Sequence, residues 1–211
     1  MIRIIDCQGG NAGGLARIIR ERFGYKVKLA RGPLDLSKAS YVILPASGSV
    51  NAMMNSIKPM GIIPKLEKVV FKKKIPFLAT GLAMQILFDY GKSINGKSIT
   101  RCLGWLPGIV EKYDTDLPFA PKKGLYGCIF VKETPFTAID QCGEYYFQMN
   151  GFHVVPANKS DIWAWADNDV NYIAAVQREN IYGINFRLDK GGENSIKLLE
   201  NLLNVNKKAE E

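Results

Sequence analysis

The chain has 211 residues, a length at which a single domain is the usual outcome. With 47% hydrophobic and 23% charged residues, 20 Gly and 10 Pro, its composition is that of an ordinary folded domain and excludes collagen-like, coiled-coil and disordered classes. The net charge of +8 is a weak indication of an anionic partner, such as nucleic acid, a membrane surface or a phosphorylated substrate.

No segment predicts a membrane span, and no cysteine pattern predicts a metal site. The longest weakly polar run, Ile75 to Phe88, has 14 residues, whereas a membrane helix needs about 20. The first residues contain Arg3 and no small-residue cleavage site, which predicts a first strand rather than a signal peptide, and a cytoplasmic protein. We expect no metal, no cofactor and four free, mostly buried thiols at Cys7, Cys102, Cys128 and Cys142.

Hydrophobic periodicity predicts alternating strands and helices over the first ninety residues, as in a parallel sheet with helices on its faces. The predicted strands are Ile2 to Ile5, the Val27 and Leu29 segment, Tyr41 to Leu44 and, as a central strand, Ile75 to Leu78. One predicted helix carries Leu15 to Phe23 and stops at Gly24, and a second carries Leu66 and Val70 and ends in Lys72 to Lys74.

Beyond about residue 95 the pattern changes to short strands joined by Gly and Pro turns, which predicts a mixed or antiparallel extension of the sheet. These strands are Gly108 to Tyr113, Leu125 to Val131, Tyr145 to Met149, Ile162 to Ala166, Ile173 to Val176 and Ile181 to Phe186. A last helix carries Ile196, Leu199 and Leu203 on one face. We expect a single domain over residues 1–205 and a frayed polar tail over 206–211.

Two loops and one basic run favour structural interpretations. The loop Gly9 to Gly14 follows a strand and opens a helix, where phosphates often bind, but its spacing fits neither a dinucleotide fingerprint nor a P-loop and favours tight packing. Ser47 is not followed directly by a predicted helix, as a nucleophile at a strand-to-helix turn would be, and is predicted to lie in a loop. The run Lys72 to Lys74 lacks interleaved aromatic residues, so helix capping is favoured over nucleic-acid binding.

The segment Pro76 to Gln85 has the layout of a nucleophile elbow, in which an apolar strand runs through small residues into a helix. The flanking small residues Ala79 and Ala83 are present, but the central position is Gly81. Glycine adopts a positive φ without the steric cost of a Cβ, so the turn is kept while the nucleophile is missing. Thr80 cannot replace the missing nucleophile, because it precedes the central position of the elbow by one residue.

A cysteine or serine nucleophile also needs a base, and the chain contains one histidine, His153. Strand alternation places His153 on the face opposite Phe152 and Val154, which favours an exposed or satisfied strand histidine. The small number of histidines therefore disfavours a Cys-His-Glu triad.

Taken together, these segments resemble the class I glutamine amidotransferases, and most closely the glutaminase subunit of imidazole glycerol phosphate synthase. The likeness runs nearly from end to end, through Ile4 to Asn11, Val42 to Gly48, Pro76 to Gln85, Leu103 to Gly108, Ala174 to Gly183 and Asn185 to Lys190. It implies a three-layer, flavodoxin-like α/β fold with a mostly parallel sheet, flanking helices and an antiparallel extension. It also implies glutamine hydrolysis by a Cys-His-Glu triad and a heterodimer with a β/α-barrel cyclase.

Every triad position departs from the family pattern. The cysteine falls on Gly81, the histidine on Arg187 and the glutamate on Asp189, so these are vestigial triad positions. Loss of nucleophile and base removes on the order of 10⁶-fold in rate in a well-studied protease triad.

Other segments of the family pattern have also changed. The oxyanion loop reads Pro45 to Gly48, the Phe-Val-His-Ser-Tyr segment reads Phe147 to Gly151, and the interface motif ending Gly-Trp-Asn reads Gly127 to Ile129. Gln85, which helps to hold glutamine in the family, is retained. The resemblance therefore implies that any remaining ligand pocket involves Gln85, Ser47 and Gly48.

These observations leave several functions open. The leading hypothesis is a pseudo-glutaminase that serves as a structural or regulatory partner of a β/α-barrel synthase. A second is a sensor that binds glutamine, another amino acid or an anion in the old pocket, with Arg187 as an anion ligand or, equally, paired with Asp189. A third is a subunit of an amidotransferase that uses free ammonia, or one that uses Cys128 with His153. Whether the chain is an enzyme by itself stays open, and nucleic-acid binding is disfavoured.

Overall fold

The computed structural model describes residues 1–7, 9–92, 98–112, 123–134, 143–148, 151–167, 172–190 and 192–208. Within these ranges no helix is both long and apolar enough to cross a membrane. The strands are β1 (Ile2–Ile5), β2 (Val27–Ala30), β3 (Tyr41–Ala46), β4 (Phe77–Gly81), β5 (Tyr90–Lys92), β6 (Ile99–Arg101), β7 (Gly108–Lys112), β8 (Lys123–Phe130), β9 (Gly143–Gln148), β10 (Phe152–Pro156), β11 (Ile162–Asp167), β12 (Ile173–Arg178) and β13 (Ile181–Ile184). The α-helices are α1 (Ala12–Phe23), α2 (Val50–Ile57), α3 (Ile63–Glu67) and α4 (Gly192–Lys208).

A large mixed sheet forms the centre of the molecule. Of the strands described, nine belong to it, in the order β2-β1-β3-β4-β13-β12-β11-β8-β9. The first five in this order are parallel, and the remaining four continue the sheet with antiparallel pairing. The predicted parallel sheet with an antiparallel extension is confirmed.

Alternate residues of the central strands enter two separate cores, one on each face of the large sheet. In β3, Tyr41 and Ile43 face the core that contains α1 and α4, whereas Val42 and Leu44 face the core that contains α2 and α3. All residues of β1, β3, β4 and β13 are buried, as expected for strands covered on both faces. This arrangement makes the three layers of the fold.

The ends of α1 follow from local sequence chemistry. The Asn11 side chain caps its first turn by accepting a hydrogen bond from the backbone N–H of Gly14, and Gly24 ends it with a left-handed φ of 70°. The helix predicted around Leu66 is interrupted, because α3 ends at Glu67 and Lys68–Lys72 continues as a π-helical turn.

A smaller sheet of four described strands, in the order β10-β7-β5-β6, packs on the α2 side of the large sheet. Phe152 and Val154 of β10 point into that core, so His153 faces away from it, as the alternation predicts. The strand ends predicted at Tyr113 and Met149 lie outside the described residues. Helix α4 continues to Lys208, and the division into a domain over 1–205 and a tail over 206–211 stays a prediction.

Gly183 provides a test of the packing that supports the segment after β4. A Cβ at Gly183 would lie 2.8 Å from Met84 Cγ, 2.9 Å from Val176 Cγ2 and 3.0 Å from Leu87 Cδ1. We expect Gly183→Ala to lower the free energy of unfolding by about 1–3 kcal/mol because the site is overpacked. Urea denaturation measures the change. Gly32→Ala is the matched control, since a Cβ at Gly32 meets no atom within 4 Å and its φ is −159°. Equal changes in both variants would contradict the packing argument.

Candidate functional site

A small cleft lies at the carboxyl ends of the central parallel strands, between the turn after β1, the end of β3 and the segment after β13. We call it the elbow cleft. Its lining includes Gly9, Asn11, Pro45, Ala46, Ser47, Thr80, Arg187 and Asp189. The carboxyl edge of a parallel sheet is the usual place for a ligand site in such folds.

The turn after β4 has the predicted elbow backbone. Gly81 has φ 67° and ψ −135°, a conformation that side chains strongly disfavour, and a 3₁₀ helix over Leu82–Leu87 follows it at once. The positive φ predicted for Gly81 is confirmed, although the following helix is 3₁₀ rather than α.

The backbone of β3 occupies the space beside Gly81. Ala46 pairs with Gly81 in the parallel ladder, and a Cβ on Gly81 would lie 2.5 Å from the Ala46 carbonyl oxygen. That separation is far shorter than a van der Waals contact. A side chain at this position therefore requires the Ala46 peptide to move.

The glycine-rich loop packs against the end of β3. A Cβ on Gly9 would lie 2.9 Å from the Ser47 carbonyl oxygen, and one on Gly10 would lie 2.5 Å from the Pro45 carbonyl oxygen. The Ser47 hydroxyl also donates a hydrogen bond to the Gly9 carbonyl. These contacts confirm that the loop glycines serve close packing.

Arg187 and Asp189 form an ion pair with two hydrogen bonds at the edge of the elbow cleft. Arg187 Nε donates to Asp189 Oδ1 at 2.9 Å, and Arg187 Nη2 donates to Asp189 Oδ2. Their side chains are only 18% and 11% exposed. Of the two alternatives for Arg187, pairing with Asp189 is the one that the structure adopts.

Two further side chains complete this ion pair. Asn11 Nδ2 donates to Asp189 Oδ2 at 2.6 Å, and Arg187 Nη1 donates to Gln148 Oε1 at 3.1 Å. The Arg187 backbone N–H is itself bonded to the Tyr146 carbonyl at 2.8 Å. The cluster thus joins the cap of α1, strand β9 and the segment after β13.

The ion pair changes the proton affinity of both partners. Burial alone would raise the pKa of the Asp189 carboxyl, but the hydrogen bonds from Arg187 and Asn11 and the charge of Arg187 outweigh burial, so its pKa lies below the usual value. The hydrogen bonding that Arg187 donates to the Asp189 carboxylate raises the pKa of Arg187. Arg187 therefore stays protonated and cannot act as a general base.

The elbow cleft is too small for an amino acid. Its enclosed volume is about 20 Å³, room for about one water molecule. The Thr80 hydroxyl at its floor donates to the Phe186 carbonyl at 2.9 Å, which leaves the oxygen oriented by structure rather than poised as a nucleophile.

The residues proposed to hold a ligand do not all meet at this cleft. Ser47 lines it together with Arg187 and Asp189. Gln85 is 1% exposed, and its amide nitrogen donates to the Phe152 carbonyl at 3.3 Å. Gln85 thus connects the 3₁₀ segment to the small sheet, and its role in binding, like that of Gly48, stays a prediction.

The described cysteines are buried, which confirms the expectation of free thiols for Cys7, Cys102 and Cys128, while Cys142 lies outside the described residues. Burial raises the pKa of the Cys7 and Cys102 thiols to about 11 and raises that of Cys128 as well. None of these thiols is activated as a nucleophile.

The suggested pairing of Cys128 with His153 has no geometric support. Cys128 points into the core that contains α4, whereas His153 lies on the small sheet. The Nε2 atom of His153 is 3.9 Å from Glu111 Oε1. Burial lowers the pKa of His153, and the Glu111 charge partly offsets this effect. Among the described residues, no group of three His, Cys, Asp or Glu side chains could hold a metal ion.

Asn11, Gln148 and the Ala46 carbonyl are the site groups that sequence reasoning missed. Asn11 and Asp189 are 178 positions apart, so no spacing rule links them. The only available signal was that Asn11 precedes a predicted helix, which indicates a cap and not a site partner.

The fold is shared with solved structures of class I glutamine amidotransferases. A structure of PurLQS from Thermotoga maritima superposes with a TM-score of 0.76 at 18% identity, covering 96% of this chain and 97% of that one. A crystal structure described as a glutamine amidotransferase superposes with a TM-score of 0.70 at 13% identity, covering 95% and 98%. At these identities the likeness establishes the fold: that of the class I glutamine amidotransferases.

Curated relatives narrow the class to one family. The imidazole glycerol phosphate synthase subunit HisH 1 of Campylobacter jejuni is 30% identical over 207 residues, covering 97% of this chain and all of the relative. The HisH subunit of Leptospira interrogans is 27% identical over 210 residues, with 97% and 100% covered. No protein-family model matches the chain. The chain belongs to the HisH family of imidazole glycerol phosphate synthase subunits.

Gly81→Ala tests the close approach of β3 to the elbow. We expect a loss of about 3 kcal/mol in the free energy of unfolding, because a positive φ and a clash with the Ala46 carbonyl act together. Gly61→Ala is the control, since Gly61 has φ 60° but no atom within 4 Å of its Cβ position. Thermal and urea unfolding measure both. A loss at Gly81 no larger than the loss at Gly61 would refute the clash.

Asp189→Asn tests the ion pair. At pH 7 we expect a loss of about 2 kcal/mol in unfolding free energy, the order expected of hydrogen bonds to charged groups. Because folding lowers the pKa of Asp189, its contribution is complete above the usual carboxyl pKa of about 4 and is lost as the pH falls through the folded value. The difference between wild type and variant should therefore shrink below about pH 4. Glu179→Gln, which breaks the exposed pair with Lys74, should change stability little. A pH-independent difference at Asp189 would contradict the assignment.

Proposed function

We propose that this chain is a catalytically silent HisH-type subunit that binds a β/α-barrel, cyclase-type synthase as a structural or regulatory partner. The observation that carries this proposal is the 2.5 Å approach of the Ala46 carbonyl oxygen to the position that a Cβ on Gly81 would occupy. The backbone of the elbow therefore leaves no room for a side chain at position 81. Hydrolysis by way of a covalent intermediate has no nucleophile there.

The groups around Gly81 supply no substitute chemistry. Arg187 is held by Asp189 and Gln148 and stays protonated, so it cannot accept a proton from a nucleophile or from water. Asp189 has a lowered pKa and accepts three hydrogen bonds on its carboxylate, which makes it a weak base. These facts support loss of glutaminase chemistry at the position where the family carries its triad.

The small volume of the elbow cleft gives less support to the sensor hypothesis. A pocket for a small molecule usually encloses about 300–1,000 Å³, whereas this cleft encloses about 20 Å³. An anion that reached Arg187 would have only the two N–H groups that Asp189 and Gln148 leave, and the negative charge of the nearby Asp189 carboxylate would repel it. We therefore propose that the residues of the elbow cleft stabilise the fold and do not bind a ligand.

Binding to a synthase is supported by the similarity of the chain to synthase subunits. Its relatives are synthase subunits by name, and the chain spans nearly all of their length. A partner that favours one conformation of the synthase shifts its population without any chemistry of its own. In such a complex ammonia from solution, instead of glutamine, is the nitrogen source.

The test is to capture the tagged chain from its native cells, identify the bound synthase by mass spectrometry, and reconstitute the purified pair. We expect product formation with ammonium and none with glutamine, and an ammonium-dependent rate that differs from that of the synthase alone. Gly81→Cys in the same complex is the matched variant, and it should not restore glutamine use because Arg187 stands where a base is needed.

Three results would overturn the proposal. Glutamine-dependent turnover by the wild-type complex would show a working glutaminase. Failure to bind any cyclase-like barrel would remove the partner role. Stabilisation of the isolated chain by glutamine or glutamate, lost in Arg187→Ala, would establish the sensor instead.

A further inference from the structure

A second, larger cleft lies at the opposite edge of the large sheet from the elbow. It is bounded by the amino ends of β1 and β2 and the carboxyl end of α1, and it encloses about 430 Å³. We call it the basic cleft and define it by Arg20, Tyr25, Lys26, Val27 and Lys28. Because β1 runs from this edge to the elbow cleft, the two clefts lie at opposite ends of the same strands.

Positive charge is concentrated at the basic cleft. Residues 17–28 contain five Lys and Arg and one acidic residue, so they carry four of the eight net positive charges of the chain. Three of these cations, Arg20, Lys26 and Lys28, line the cleft, and none of the described residues that line it is acidic. Like charges gathered in one concave site raise the local potential and favour an anion.

The donors of the basic cleft are partly organised in advance. Arg20 Nη2 donates to the Val27 carbonyl at 2.9 Å, which holds the planar guanidinium beside β2 and uses one of its five N–H groups. Lys26 and Lys28 are exposed on either side of the buried Val27, as strand alternation requires. The planar guanidinium of an arginine, together with two lysine ammonium groups, can donate several charge-assisted hydrogen bonds to a phosphate group.

Tyr25 adds a flat apolar surface to the cleft. Its ring is half-buried against the core that contains α4, and its hydroxyl donates to Asn204 Oδ1 at 2.6 Å. The ring is thereby fixed in place by the last helix, and a planar group can stack on it at little entropic cost. A cleft of this volume is within the range of small-molecule sites.

We propose that the basic cleft binds a small organic phosphate that carries a planar ring, of the size of a mononucleotide. Its phosphates contact Arg20, Lys26 and Lys28, and its ring stacks on Tyr25. A nucleic-acid strand is disfavoured because strand binding uses a row of aromatic platforms along a groove, whereas Tyr25 is the single aromatic among the residues that line this cleft. This site goes beyond the proposed function and does not depend on it.

The test is isothermal titration calorimetry of the full chain with ATP, inorganic tripolyphosphate and a twelve-nucleotide single strand at low ionic strength. We expect ATP to bind more tightly than tripolyphosphate because of the ring. The double variant Lys26→Ala, Lys28→Ala should weaken ATP binding by about tenfold or more, as expected for lost charge-assisted hydrogen bonds. Tyr25→Leu should weaken ATP binding but not tripolyphosphate binding, and Tyr25→Phe, which keeps the ring but loses the hydrogen bond to Asn204, should weaken ATP binding less than Tyr25→Leu does.

The matched control is the double variant Lys72→Ala, Lys73→Ala, which removes the same charge from the end of the π-helical turn and should leave ATP binding unchanged. Equal weakening by both pairs, or no ATP binding, would overturn the proposal. Tighter binding of the single strand than of ATP, lost in the Lys26 and Lys28 variant, would assign the surface to nucleic acid instead. Glutamine use and synthase capture do not enter this experiment, so its failure is distinct from failure of the proposed function.

Discussion

The close pairing of β3 with β4 is the constraint on which the site depends. Their ladder continues to Ala46 and Gly81, so a backbone carbonyl lies where a side chain would otherwise begin. Only a residue without a Cβ fits both this approach and the positive φ of the elbow. The glycine loop after β1 then packs on Pro45 and Ser47, and its position also depends on where β3 ends. One strand register therefore determines the shape of the whole elbow cleft.

Around that backbone, ionic groups connect segments that are distant in the chain. Asp189 is shared between Arg187 and the Asn11 side chain, and that same Asn11 caps α1. A nearly buried charge is tolerated only when it is paired and hydrogen-bonded, and here both conditions are met. The cluster joins three segments that are distant in the chain. The pairing raises the pKa of Arg187 and lowers that of Asp189, so both side chains hold their charged states.

Family membership is a property of nearly the whole chain of this molecule. The sheet, the flanking helices and the elbow turn are those of a class I glutamine amidotransferase, and relatedness to HisH subunits extends along nearly the whole chain. A fold is maintained by its cores, which are spread over many residues, whereas a reaction depends on a few side chains. The basic cleft is separate from the elbow cleft. It lies on the edge strand β2 and the end of α1, away from the carboxyl edge of the sheet.

The sequence by itself determined the nine described strands of the large sheet, the end of α1 at Gly24 and the conformation of Gly81, because these depend on hydrophobic period, caps and turn residues within a few positions. It also singled out Gly81, Arg187 and Asp189, the positions at which we propose that the family triad has been replaced. Tertiary structure decided that Asp189 pairs with Arg187 and Asn11, that the Ala46 carbonyl closes the elbow, and that Gln85 turns toward Phe152. These contacts join segments up to 178 positions apart, and only the packing of the two cores brings them together.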